Sequence, residues 1–407
     1  MTDNSSCFFL SYAHSPPLNL ASAPDPDDWV EEFFADLNAA VERHPSWRPG
    51  LGPGFYDRQI PAGANWKESI SRALRSTQVF VPLYSSGYVE RTWPATEWVR
   101  FRARMQHAGV AEPEHRFVPV LWTPLFSAKP PDFDAALALG ADQPDYADNG
   151  LQALMRFRPY QDSYRAVLNN LANRIVTVAH ESPLQPSDVP DIDMMESEFL
   201  TKAHLAIFSV EIAAPTAPTL PGGRDRSQYG DSGAEWSPFP KQRLPLGEYV
   251  RQIAERLDFD VDVSNLGEHD EGKDRRPGVI LIDPWYIADD DRRSLLEANV
   301  SHTPEWVLPL VVVGPPQDTL TDSYTQQVLD MVRTPGRCAR SLEAIDTMTP
   351  KLIAEAERRY FRNSGGTPST QRAMIRGRQR TRPSLRGPIP PVQPKTEPDI
   401  PGKTTGD

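Results

Sequence analysis

Residues 78–98, QVFVPLYSSGYVERTWPATEW, join a short apolar run to a segment with helical spacing. The run VFVPLY is apolar throughout, which is typical of a parallel strand that is covered on both faces. Pro94 suits the first turn of a helix, so the segment that follows predicts a helix over residues 94–109. Trp93 stands four residues before Glu97 at this junction. The stretch therefore predicts a strand–helix unit that carries a carboxylate near the carboxyl end of its strand.

The alternation of strands and helices extends over the first 180 residues. Strands are predicted at residues 7–14, 53–57, 78–86 and 117–124, and helices at residues 29–44, 66–77, 94–109, 150–157 and 164–181. Parallel strands need crossover helices, and those crossovers are right-handed. The order of elements therefore predicts a doubly wound α/β domain over residues 1–180.

A polar, proline-containing segment, residues 181–197, predicts a linker to a second α/β domain at residues 198–362. Its strands are predicted at residues 205–213, 260–266, 278–287 and 307–314, its helices at 245–259, 289–300, 323–334 and 348–361, and a Pro/Gly/Ser-rich insertion at 214–243. The order of elements resembles that of the first half. This likeness fits an internal duplication, and it equally fits the chance likeness of any two α/β domains.

Residues 363–407 form a tail that is rich in proline and arginine and almost free of large apolar side chains. Such a segment cannot bury enough apolar surface to fold, so we expect it to be disordered. Its arginines could contact an acidic partner or RNA, or could simply be solvated.

Composition limits the classes of function. The chain has 407 residues and a net charge of −12, which argues against a general nucleic-acid or anionic-membrane binder. Its two cysteines, Cys7 and Cys338, lie far apart and lack metal-ligand spacing, so a disulfide scaffold is not expected and a reducing cytoplasm fits. The longest apolar stretch, near residue 310, is too short to span a membrane, and the N-terminus has no signal-peptide pattern.

Three segments of the first half resemble the TIR-domain family, over about residues 6–125. FFLSYAH (8–14) is similar to the first box of that family, a buried strand that ends in a Ser-Tyr turn. Residues 57–77 resemble the loop and helix after the second strand, and residues 78–98 resemble the third strand and its continuation. The residues at family positions are Asp57, Ile60, Gly63, Trp66, Ile70, Ser76, Ser85, Tyr88, Trp93 and Glu97. The chain departs from the family at Pro94, where a cysteine commonly follows the tryptophan.

The resemblance implies a flavodoxin-like sheet, with ligands bound at the carboxyl ends of its strands. Some TIR domains cleave NAD⁺ and release nicotinamide, using a glutamate that matches Glu97. NAD⁺ would then be the substrate, and the resemblance implies neither a cofactor nor a metal. The implied NAD⁺ contacts are Phe9, Ser11, Tyr12, Ser85, Tyr88 and Trp93. The bond breaks through an oxocarbenium-like state and nicotinamide leaves as a neutral molecule, so one carboxylate can suffice.

Other TIR domains are docking modules that self-associate through the loop that matches residues 57–66. Here that loop carries Asp57, Ile60, Gly63 and Trp66 at its family positions. The overall layout also resembles the FxsC family of TIR-like proteins, which accompanies FxSxx-COOH peptide-maturation systems with a radical-SAM enzyme. That layout implies peptide-maturation proteins as partners. The second half lacks a Ser-Tyr box, so we interpret it as a degenerate, non-catalytic TIR-like domain.

Simpler interpretations stand beside these. Glu97 could be a surface residue near the positive end of its helix. Trp93 and Trp98 could be core residues, His14 has no assigned role, and Ser85 lacks the G-x-S-x-G pattern of a hydrolase. Three functions therefore stay open, because a fold does not decide function: a docking scaffold, an NAD⁺ glycohydrolase, and nucleotide binding without turnover.

Overall fold

A computed structural model describes residues 6–15, 27–47, 52–125, 130–181, 183–188, 206–222, 224–268, 276–316, 318–332 and 337–363. All of them fall within one compact unit, Met1–Gly366. The predicted tail, apart from Asn363, and most of the predicted linker lie outside the described residues. The boundaries proposed for the two domains therefore stay predictions.

The first half is an α/β layer structure. Its strands are β1 (Phe8–Ser11), β2 (Val79–Tyr84) and β3 (Val120–Leu121), and its helices are α1 (Asp28–Glu42), α2 (Trp66–Ser76), α3 (Ser86–Glu90), α4 (Thr92–His107), α5 (Phe133–Ala138), α6 (Pro144–Asn149), α7 (Leu151–Arg156) and α8 (Gln161–Glu181). The strands pair in parallel in the order β1-β2-β3. The segment at residues 52–55 runs beside β1 and pairs with it only through isolated bridges.

That segment replaces the strand predicted at residues 53–57. Pro53 lacks the backbone N–H that a continuous ladder needs. Gly54 passes directly under the ring of Phe8, where a Cβ would lie 2.2 Å from Cζ. The chain then turns into a single 3-10 turn at Asp57–Gln59. Close packing and one proline thus reduce the predicted strand to bridges.

The predicted helix at residues 94–109 is present as α4, and an unpredicted one-turn helix, α3, precedes it. Ser85 Oγ accepts a hydrogen bond from the Tyr88 backbone N–H at 3.1 Å and caps the single turn of α3. The chain extends at Arg91, and α4 begins at Thr92, two residues earlier than predicted. Glu97 consequently lies in the second turn of its helix rather than at its start.

Strand β1 separates two apolar layers because successive side chains point to opposite faces. Phe8 and Leu10 belong to the layer that contains α1 and α8. Phe9 belongs to the layer that contains α2 and α4. Helices therefore cover both faces of the parallel sheet, as a doubly wound fold requires.

The second half repeats this plan with a larger sheet. Its strands are β4 (Ala206–Ala213), β5 (Phe259–Asn265), β6 (Gly278–Ile282), β7 (Val307–Val312) and β8 (Cys338–Ala339), and its helices are α9 (Leu246–Glu255), α10 (Asp290–His302), α11 (Thr319–Val332) and α12 (Leu342–Asn363). All neighbours pair in parallel in the order β5-β4-β6-β7-β8. This is the flavodoxin-like order 2-1-3-4-5. The predicted fold class is confirmed.

The start of the predicted linker lies along the first half. Arg104, on α4, is fully buried and donates hydrogen bonds to the carbonyl oxygens of Leu74 and Thr77, and also to that of Gln185. Gln78 exchanges two hydrogen bonds with the backbone of Leu184. Residues 183–188 are thus held by buried polar side chains of the first half. Within the described ranges, no helix is both long and apolar enough to cross a bilayer.

Candidate functional site

The carboxyl end of β1 meets the second turn of α4 in a buried polar group that we call the Glu97 cluster: Ser11, Tyr88, Trp93 and Glu97. Ser11 Oγ donates a hydrogen bond to Glu97 Oε2 at 2.6 Å and lies 3.1 Å from the Tyr88 hydroxyl oxygen. Trp93 Nε1 donates to Glu97 Oε1 at 2.8 Å. Residues four apart on a helix are neighbours, which accounts for the Trp-to-Glu spacing.

Glu97 is a buried acid. Its side chain is only 4% exposed, so the interpretation as a surface helix residue is wrong. Burial raises the pKa of Glu97 to about 8, against the opposing effect of the hydrogen bond from Ser11. Burial therefore favours the protonated form of Glu97 at neutral pH. A carboxyl group whose charge is suppressed by burial is typical of functional sites.

The other predicted NAD⁺ contacts lie elsewhere. Phe9 is 1% exposed and its ring stacks between those of Phe55 and Phe80, so it belongs to the core. Ser85 caps α3. Tyr12 packs in the layer that contains α1 and α8, on the other face of the sheet from α4. The structure thus brings Ser11, Tyr88 and Trp93 together with Glu97, whereas Phe9, Tyr12 and Ser85 lie outside this group. Binding of NAD⁺ by any of these six residues stays a prediction.

A second polar group, the His14 cluster, consists of His14, Asp27, Asp57 and Arg256. His14 Nδ1 lies 2.9 Å from Asp27 Oδ2, and His14 Nε2 lies 2.5 Å from Asp57 Oδ2. Arg256, from the second half, donates through Nη2 to the same Asp57 oxygen. The Tyr12 ring lies 4.7 Å from that of His14. Four polar side chains from both halves therefore share one network.

Charge governs protonation in this cluster. Burial alone would raise the pKa of Asp57, but the adjacent charges of His14 and Arg256 outweigh it and hold that pKa well below its usual range. Burial lowers the pKa of His14, yet the carboxylates of Asp57 and Asp27 together outweigh it and the net pKa is raised. Asp27, which directly precedes α1, makes no side-chain capping hydrogen bond to that helix and interacts with His14 instead.

Replacing Asp57 with asparagine should destabilise the fold by about 3–5 kcal/mol at neutral pH, because Arg256 and His14 lose their shared anion. The folded pKa of Asp57 lies below its unfolded value, so its contribution is present above the ordinary carboxyl pKa and is lost as pH falls. The free energy of unfolding, measured in urea at several pH values, should show the difference shrinking below about pH 4. Asp28→Asn is the control, since Asp28 makes a solvent-exposed pair with Arg58. An equal loss in both variants would contradict this expectation.

The docking loop, residues 57–66, lies against helix α9 of the second half. The Gly63 backbone N–H donates to the Tyr249 hydroxyl at 2.9 Å, and the Gly63 carbonyl accepts from the Arg243 N–H at 3.1 Å. The Trp66 N–H donates to Gln252 Oε1 at 3.3 Å. Gly63 has φ +81°, a conformation that glycine adopts without strain. Ile60 packs instead against the first-half layer that contains α2 and α4.

The carboxyl edge of the second sheet is filled by its own insertion. Asp283 follows β6 and accepts hydrogen bonds from the Tyr229 hydroxyl at 2.7 Å and the Trp285 N–H at 2.9 Å. Burial raises the pKa of Asp283 to about 6. Trp236 of the insertion is 1% exposed. The side-chain amide of Asn265, at the end of β5, forms hydrogen bonds with the Ser232 hydroxyl of the insertion. Side chains of residues 214–243 thus occupy the place where flavodoxin-like folds bind ligands.

Sequence reasoning missed the His14 cluster and the contact with α9. His14 follows the Ser-Tyr pair closely enough to have been a candidate, but no signal pointed to Arg256, which is 199 residues from Asp57. Among the residues that the structure covers, no group of three or more His, Cys, Asp or Glu side chains could hold a metal ion.

Comparison with known proteins agrees with the geometry of the first half. Residues 8–155 match the family model of the TIR domain, a range that runs from β1 to α7 and contains the Glu97 cluster and the docking loop. No curated protein matches the chain. The match confirms the resemblance of the first half to TIR domains, a class that self-associates in general and acts in signalling or in NAD⁺ cleavage.

Proposed function

We propose that this TIR-domain chain is a signalling or scaffold protein that acts through protein–protein contacts of its docking loop. The observation that carries the proposal is the engagement of the loop by a folded surface. Both the N–H and the carbonyl of Gly63 bond to residues of the second half, Tyr249 and Arg243. Backbone groups of the loop that bond to residues far away in the chain support a role for this surface in docking.

The partners we propose are a second copy of the chain and, from the resemblance to the FxsC family, proteins of a radical-SAM peptide-maturation system. The acidic composition, with a net charge of −12, favours protein partners over nucleic acid or an anionic membrane. We place the protein in the cytoplasm as part of this proposal.

Sedimentation velocity, carried from micromolar to near-millimolar concentration, tests the docking role. The sedimentation coefficient of the wild type should rise with concentration, and Ile60→Asp should suppress that rise, because a charge on the loop opposes an apolar contact. Glu97→Gln should leave association unchanged. Phe157→Ser is the matched control, since Phe157 is an apolar side chain that is 53% exposed outside the loop. Association that Ile60→Asp does not affect would contradict docking through this loop.

A second candidate function, NAD⁺ glycohydrolase, is favoured by the Glu97 cluster. Its carboxyl group is buried beside the carboxyl end of β1, with Ser11 and Trp93 as donors. In the anionic form Glu97 could accept hydrogen bonds from ribose hydroxyls and stabilise the positive charge that develops as the nicotinamide bond breaks. Burial would exclude water and strengthen that interaction. Release of nicotinamide from NAD⁺, measured beside Glu97→Ala, tests this function.

A further inference from the structure

Helix α9 covers the docking loop with polar side chains along its length. Gln252 accepts from the Trp66 N–H and donates to Asn65 Oδ1 at 3.2 Å. The Arg256 guanidinium lies 5.6 Å from the centre of the Trp66 ring. Just after the loop, Lys67 Nζ lies 2.5 Å from Glu255 Oε2. Each turn of α9 therefore contributes a contact to the loop or to the residue that follows it.

The contact also has an apolar part. Ala62 packs against the core of the second half. A Cβ at Gly63 would lie 2.5 Å from Leu342 Cδ1, so the two surfaces approach closely. Polar and apolar contacts therefore occur together at this loop, as they do in specific protein interfaces.

The same interface reaches the helix that carries Glu97. Asp258, just beyond α9, accepts a hydrogen bond from the Thr92 N–H at 3.1 Å and so caps the first turn of α4. It holds a left-handed backbone conformation, with φ 64°, that is costly for a residue other than glycine. The second half thus contacts both the docking loop and the start of the Glu97 helix.

We propose that the second half of this chain is an internal partner that covers the docking loop, so that the loop binds a second copy only after α9 is released. This inference rests on the proposed docking function. The N–H groups of Gly63 and Trp66 already donate hydrogen bonds within the chain, so they cannot donate to another partner at the same time. A tethered partner has an effective concentration on the order of millimolar, which outcompetes a free copy at micromolar concentration.

Arg256→Glu in the full chain tests the cover, because it places a carboxylate against Asp57. Hydrogen exchange of the docking-loop amides, above all those of Gly63 and Trp66, should accelerate by about tenfold or more. Self-association should tighten by about tenfold or more, which corresponds to about 1.4 kcal/mol. Arg251→Glu is the matched control on the same helix, since Arg251 pairs with Glu248 within α9. It should change neither quantity.

A charge exchange at the rim gives a second test that spares the His14 cluster. Lys67→Glu should open the loop by repulsion from Glu255, and the added change Glu255→Lys should close it again. Faster exchange and tighter association in the opened variants, with reversal in the exchanged pair, support the inference. If neither Arg256→Glu nor Lys67→Glu alters the hydrogen exchange of the loop amides, the inference is overturned and the docking role stands. The same conclusion follows if the wild type associates through Ile60 as tightly as Arg256→Glu does. If the loop opens and no self-association follows, both the inference and the docking role are overturned.

Discussion

Under the glycohydrolase proposal, Glu97→Gln is expected to lower nicotinamide release from NAD⁺ by a factor of about 10² or more. Glutamine keeps the shape of the side chain and an acceptor for Ser11 or Trp93, but it cannot become an anion. The stabilisation of the oxocarbenium-like state would therefore be lost while the local packing is kept. Because burial raises the pKa of Glu97 to about 8, wild-type release should increase as pH rises towards that value.

Glu90→Gln is the matched control for that experiment. Glu90 ends α3, only seven positions before Glu97, and its side chain is exposed. It should release nicotinamide at the wild-type rate. Equal release by the wild type and Glu97→Gln would point to a contaminant or to another carboxylate. If neither the wild type nor Glu97→Gln releases nicotinamide, even when the protein is assembled, docking would remain as the proposed function.

Sequence patterns predicted the framework well where burial is continuous. The apolar run at residues 79–84 became β2, and the strand order of the second half follows the predicted alternation. Short elements escaped detection for a physical reason. Strand β8, Cys338–Ala339, has two residues and no pattern of its own, and it forms because β7 offers a free edge. The predicted strand at residues 53–57 was reduced to bridges by local packing against Phe8.

The candidate site divides in the same way. The resemblance to TIR domains pointed to Ser11, Tyr88, Trp93 and Glu97, and the end of β1 and the four-residue spacing on α4 account for the way Ser11 and Trp93 reach Glu97. The His14 cluster could not, because Arg256 reaches it from the other half of the chain. Contacts between distant parts of the chain depend on how their surfaces fit, and the periodicity of one segment does not encode that fit.

Glu97→Gln should also make the protein more stable than the wild type at alkaline pH, relative to pH 5. The folded pKa of Glu97, about 8, lies above the unfolded value, so the folded state holds a proton that the unfolded state has released. The free energy of unfolding of the wild type should therefore fall as pH rises from about 4.5 to 8, by an amount on the order of 3–5 kcal/mol. Glutamine does not titrate and escapes this loss.

Urea unfolding followed by tryptophan fluorescence at pH 5 and pH 9 measures this difference, with Glu90→Gln again as the control. The gap between Glu97→Gln and the wild type should widen with pH, whereas Glu90→Gln should follow the wild type. Parallel profiles for all three proteins would mean that Glu97 is not held as a buried acid. Burying a functional carboxyl group costs folding free energy that packing alone would not require. Replacing such a group should therefore remove activity and increase stability. A purely structural Glu97 would give no loss of nicotinamide release beside that gain.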